Sequence, residues 1–159
     1  MHHSAAHPGP HASPPSPAAC GYYLLPRPGG FVLHMATSPE HLRRMRAQVF
    51  QSVTATCHDE QVASDAQLVA SELVGNAAAL CGPWAPVVVT VRRSEHNVHV
   101  RVHDPLDDRA PARTGALPDN AQAESGRGLW IVDALAPGWT VQRTPLGKQI
   151  SCTLPCPAA

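Results

Sequence analysis

Apolar residues recur at steps of three and four from Val62 through Ala66, Val69, Leu73 and Ala77 to Leu80, where Cys81-Gly82-Pro83 stops the run. Directly after it the period drops to two. Pro86 to Arg93 and Val98 to Asp104 alternate as strands do, with Ser94 to Asn97 as a hairpin turn between them. The first segment predicts an amphipathic helix facing the core, and the second predicts antiparallel neighbours. A chain of 159 residues with 43% hydrophobic content can bury one sizeable core, so one domain is expected.

The flanks add elements to this centre. Tyr22 to Leu25 and Gly30 to Ala36 read as short strands around a Pro-Arg-Pro-Gly-Gly turn, and Ser38-Pro39 opens a helix reaching about Thr54. Beyond Asp104 comes a long aperiodic stretch with Pro105, Pro111, Gly115 and Pro118, which predicts a lid. Gly128 to Leu135 reads as a short helix closed by Pro137-Gly138, and Trp139 to Arg143 with Gln149 to Leu154 reads as a terminal hairpin. Residues 1–21, rich in Pro, Ala and His, are expected to be a disordered tail; 22–155 form the domain and 156–159 a C-terminal tail. His2, His3, His7 and His11 of the tail lack the spacing and scaffold of a metal site.

Lysine plus arginine count 12 and aspartate plus glutamate 12, so the formal net charge is zero and no basic stripe favours nucleic acid. DNA and RNA are not expected as direct partners. The apolar runs are too short to span a bilayer, and no charged-then-apolar leader opens the chain, so a cytoplasmic protein without membrane contact is expected. The five cysteines (Cys20, Cys57, Cys81, Cys152, Cys156) show no C-x-x-C pair and no zinc spacing, and are expected to be free thiols.

Several residues carry chemistry. Glu72 and Asn76, four apart on the second helix, emerge on one face beside the core stripe. An oxygen-only pair suits Mg²⁺, which keeps waters and shares its shell with phosphates; a solvated helix face uses the same residues. Asp104 has the parity of Val98, Val100 and Val102, so its carboxylate ends a strand on the buried face and must find a donor. That donor is either an exocyclic amine such as adenine's or a backbone amide in the turn before Pro105. Gly126-Arg127-Gly128, just ahead of a helix, would let backbone amides approach an anion. Lys148, the only lysine, could reach a phosphate from the last hairpin or be an ordinary surface lysine. No P-loop sequence is present.

The order of these signals is more specific than any one of them. E-L-V-G-N-A (Glu72 to Ala77), a strand-end Asp104, a lid, G-R-G-L-W (Gly126 to Trp130) and G-K (Gly147-Lys148) resemble the boxes of the GHKL ATPase superfamily. The compact S-E-L-V-x-N-A and G-R-G-L-W-I-V-D-A-L forms are similar to its anti-sigma-factor serine kinase branch. The resemblance implies an α+β fold: a two-layer α/β sandwich of the GHKL (Bergerat) type, its mixed, mostly antiparallel sheet covered by helices on one face. It implies ATP and Mg²⁺ as cofactors, with Asn76 as the Mg²⁺ ligand and Glu72 as general base or water-positioning residue. Asp104 would read adenine, Gly126, Arg127, Gly128 and Leu129 would cradle phosphate, and Lys148 would add a phosphate contact. The implied activity is phosphorylation of a serine on an anti-sigma-factor antagonist, together with sequestration of a sigma factor, and a homodimer is the implied assembly.

Two departures accompany the resemblance. The family usually runs Asp-x-Gly with another glycine soon after, whereas here Asp104 is followed by Pro105 and Leu106 and the next glycine is Gly115, and Leu80 stands near where the family often has a histidine. They leave open a second reading, a catalytically degraded GHKL domain serving as a non-enzymatic interaction module. A detached ATPase domain working for a separate partner is a third.

Overall fold

The computed structural model describes residues 21–106 and 124–157, with side chains from Leu129 onward in the second stretch. The expected lid and nearly all of the expected N-terminal tail lie outside the described residues. The elements run β1 (Tyr22–Arg27), β2 (Gly30–Ala36), α1 (Pro39–Cys57), α2 (Glu60–Cys81), β3 (Pro86–Arg93), β4 (Asn97–Asp104), α3 (Glu124–Leu135), β5 (Thr140–Thr144) and β6 (Gly147–Pro155). The strands form one six-stranded sheet in the order β1-β2-β3-β4-β6-β5. Every neighbouring pair is antiparallel, where a mixed, mostly antiparallel sheet was expected. The α+β architecture is the expected one.

Period-two alternation decides which face is covered. Phe31, Leu33 and Met35 of β2, Val87, Val89 and Val91 of β3, Val98, Val100 and Val102 of β4, and Ile150, Cys152 and Leu154 of β6 are all buried. α2 lies against β3, β4 and β6 and also contacts α1 and α3, while α1 covers β2 and β3. The Ser38 side chain accepts from the His41 backbone N–H at 3.2 Å and so starts α1, as its sequence position predicts.

The buried stripe of α2 differs from the predicted one in detail. Ala63, Ala66, Val69, Ala70, Leu73, Val74 and Ala77 are buried, whereas Val62 is only partly so and Leu80 is 50% exposed. The stripe is wide because its alanines let the helix approach neighbours on two sides, a feature that a single row of apolar residues does not convey.

One expectation is overturned. Cys57 and Cys156 form a disulfide, with Cα atoms 6.2 Å apart and a sequence separation of 99. Cys156, assigned to a C-terminal tail, is fully buried and its N–H bonds to the His96 carbonyl at 2.8 Å. Spacing cannot reveal such a bond, because the end of α1 and the end of β6 meet only in the folded chain. Cys81 and Cys152 are free, as expected, and burial pushes the Cys152 thiol up to about 12. Reduction, or Cys156→Ser, is expected to lower stability by about 2–4 kcal/mol because a long loop is released in the unfolded chain. Urea unfolding with and without reductant measures this; coincident curves would show that the bond contributes nothing. No helix among the described residues is long and apolar enough to cross a membrane.

Candidate functional site

α2 positions the two oxygen-bearing side chains. Asp59 caps it by accepting from the backbone N–H of Gln61 at 2.9 Å and of Val62 at 3.2 Å. Gly82, with φ of 86°, ends it. Between these caps Leu73 and Ala77 enter the core, and the residues just before them, Glu72 and Asn76, are half-buried on a shared face. Gly75 and Ala79 lie on that side of the helix. A Cβ on Gly75 would meet nothing within 4 Å, and Ala79 is exposed. The rim carrying Glu72 and Asn76 is therefore open.

A carboxylate and an amide oxygen on an open rim are the donor types that Mg²⁺ accepts. No group of three or more His, Cys, Asp or Glu among the described residues could hold a metal ion unaided. Mg²⁺ at Asn76 would complete its shell with water and phosphate oxygens, so the residues fit a metal that arrives with a nucleotide.

β4 supplies the second part of the site. Asp104 continues the buried row of valines and is 3% exposed. Strand register places Lys148 of β6 opposite it. The Lys148 ammonium donates to Asp104 Oδ1 at 2.9 Å and to the Leu106 carbonyl at 3.1 Å, and the Leu106 N–H donates to the same Oδ1 at 2.9 Å. Lys148 is itself 4% exposed. The turn amide anticipated for Asp104 is thus present, and it is joined by a lysine that the sequence reading directed to a phosphate or to the surface. Gly147 permits this approach: its φ is 141°, and a Cβ there would collide with the Asp104 carbonyl oxygen and the Pro105 Cα.

The end of α2 belongs to the same neighbourhood. Burial raises the Cys81 thiol, the Asp104 charge raises it further, and the Lys148 charge partly offsets both. The end of α2, the end of β4 and the start of β6 therefore converge. α3 contacts α2 and places Leu129 in the core at 8% exposure, with Trp130 at 40%. Gly126, Arg127 and Gly128 fall inside α3, which begins at Glu124, instead of preceding its first turn; their side chains lie outside the described residues. The helix thus starts four residues earlier than Gly128, where the sequence predicted it.

A profile of the histidine kinase-like ATPase domain matches residues 35–154, more than half of the chain, and spans every position of this site. The chain belongs to the histidine kinase-like ATPase family. Among curated proteins none matches it. In this histidine kinase-like ATPase domain the helix-covered side of the sheet carries Glu72, Asn76, Asp104 and Lys148. The uncovered side is different: an apolar groove of about 520 Å³ opens there, lined by Tyr23, His34, Trp84, Val88, His103 and Leu146 among others. His103 has the parity opposite to Asp104 and bonds to the Thr144 hydroxyl at 2.7 Å. The residues that match the family's nucleotide boxes lie on the other face, so chemistry and not the groove locates the candidate site.

Sequence reasoning singled out Asp104 and Lys148 separately and missed their pairing. A signal was available, because Lys148 has the parity of Ile150, Cys152 and Leu154 and so lies on the buried face of β6.

Proposed function

We propose that this histidine kinase-like ATPase domain is an ATP-binding regulatory protein, a serine kinase of the anti-sigma-factor type. It would phosphorylate a serine of an anti-sigma-factor antagonist and sequester a sigma factor. The observation that carries the reading is that Glu72 and Asn76 stand on an open helix rim while Asp104 ends a strand packed under the same helix, all within the matched domain. Asn76 would hold Mg²⁺, Glu72 would act as general base or water-positioning residue, Asp104 would accept from the adenine amine, and the backbone of Gly126 to Leu129 would cradle phosphate. Bound Mg·ATP supplies the γ-phosphoryl group and neutralises charge as it transfers, leaving positioning and electrostatics to the protein. The partners and a homodimer follow from the family resemblance, and a cytoplasmic location is part of the same proposal.

The alternative, a degraded domain used only for protein interaction, is favoured by two observations: Asp104 Oδ1 is already bonded to Lys148, and Leu106 stands where the Asp-x-Gly pattern of the resemblance expects glycine. Calorimetric titration of ATP and ADP, with and without Mg²⁺, separates the two. Saturable, Mg²⁺-sensitive binding is expected; no heat of binding at any nucleotide concentration would leave the interaction module as the better account.

A further inference from the structure

We infer that Lys148 is a positioning residue for base recognition: it holds one oxygen of the Asp104 carboxylate so that only the other is offered to a nucleotide, favouring adenine over guanine. The inference rests on the ATP-site reading above and assigns Lys148 a place on the base side of that site, away from the phosphates.

The geometry is specific. Each hydrogen bond that the Asp104 carboxylate makes among the described residues goes to Oδ1, from the Lys148 ammonium and from the Leu106 N–H, both at 2.9 Å. Lys148 also donates to the Leu106 carbonyl, so one ammonium ties the strand end to the residue two places on. Asp104 and Lys148 are both buried, which leaves little water to compete for these bonds. The close approach of the β6 start to the Asp104 backbone depends on Gly147, where a Cβ would collide with the Asp104 carbonyl oxygen.

Base edges respond differently to such a carboxylate. Adenine offers one exocyclic amine beside a ring acceptor, and a single oxygen, Oδ2, suffices for that amine. Guanine offers two adjacent donors, the ring N1–H and the exocyclic N2 amine, which a free carboxylate reads with both oxygens at once. With Oδ1 taken, the bidentate mode is closed, and a guanine donor would be left unmatched or would have to displace a buried ammonium. Lys148 thus turns a carboxylate able to accept either purine into a single-acceptor reader.

The test is equilibrium titration of the full chain with Mg·ATP, Mg·GTP and Mg·ITP, inosine being guanine without its N2 amine. Wild-type protein is expected to prefer ATP to GTP by about tenfold or more, with ITP binding at least as tightly as GTP, since the second guanine donor, which inosine lacks, finds no acceptor. Lys148→Met, which keeps the aliphatic stem and removes the donor, is expected to narrow the ATP to GTP ratio to about threefold and to speed hydrogen exchange at the Leu106 amide. Equal weakening of ATP and GTP in Lys148→Met would show a merely structural lysine and overturn the inference. Should that variant not fold, the wild-type series decides alone: GTP binding about tenfold tighter than ITP would mean that both carboxylate oxygens are free to read guanine. Failure of the wild-type chain to bind any of the three nucleotides would remove the ATP-site reading itself and this inference with it. An unchanged ratio in a protein that does bind ATP sinks only the role of Lys148.

Discussion

Asp104→Ala is expected to cost about 3–5 kcal/mol of folding stability, read as a lowered midpoint in urea unfolding. The size of the effect comes from what remains behind. Lys148 is 4% exposed, and without Asp104 its positive charge keeps only the Leu106 carbonyl as a partner among the described residues. An ammonium so placed must either recruit water, lose its proton or open the β4–β6 strand ends, and each is costly. The pair itself is a different matter, because two charges brought out of water repay little more than their desolvation. Replacing both, as Asp104→Leu with Lys148→Met, is therefore expected to restore most of the stability lost in the single variant. A cycle in which the single and double losses simply add would show that the two side chains do not interact.

The fold was legible where periodicity is long. α2 and the β3–β4 hairpin were readable because a helix of 22 residues and two strands of eight repeat their signal many times. Asp104 was readable as a buried strand-end carboxylate by the same parity. The features that escaped are those for which local pattern carries no information. The Cys57–Cys156 bond joins the last residue of α1 to the residue after β6, far apart in sequence, and nothing in either neighbourhood announces it. Leu80 continued an apolar period but emerges half-exposed, because which side of a helix end meets a neighbour depends on the packing of other elements. Lys148 was read through the usual behaviour of lysine at a hairpin, while its register with Asp104 overrode that behaviour. Leu106, which stands where the Asp-x-Gly pattern of the resemblance expects glycine, is held at both its N–H and its carbonyl, by Asp104 and Lys148. In this chain a side-chain clasp stands where flexibility would otherwise be expected.

The second large effect concerns binding and not stability. Asn76→Ala is expected to weaken Mg²⁺-dependent ATP binding by about a hundredfold or more, some 2.7 kcal/mol, while changing the unfolding midpoint little. Both halves follow from the position of the side chain. Asn76 is half-buried on the open rim of α2, its neighbour Ala77 supplies the core contact, and alanine is the better helix former, so the fold loses no packing. The amide oxygen, by contrast, is the protein ligand proposed for a metal that takes few protein donors, so its loss leaves the metal with water and phosphate alone. Binding measured without Mg²⁺ should be much less affected, since base contacts at Asp104 do not pass through the metal. Asn76→Asp supplies the internal check: it keeps an oxygen donor at the same point and is expected to retain the Mg²⁺ dependence that alanine removes. Unchanged ATP affinity in Asn76→Ala with Mg²⁺ present would move the metal off this helix face. It would separate the Asp104–Lys148 pair from any nucleotide role built around α2.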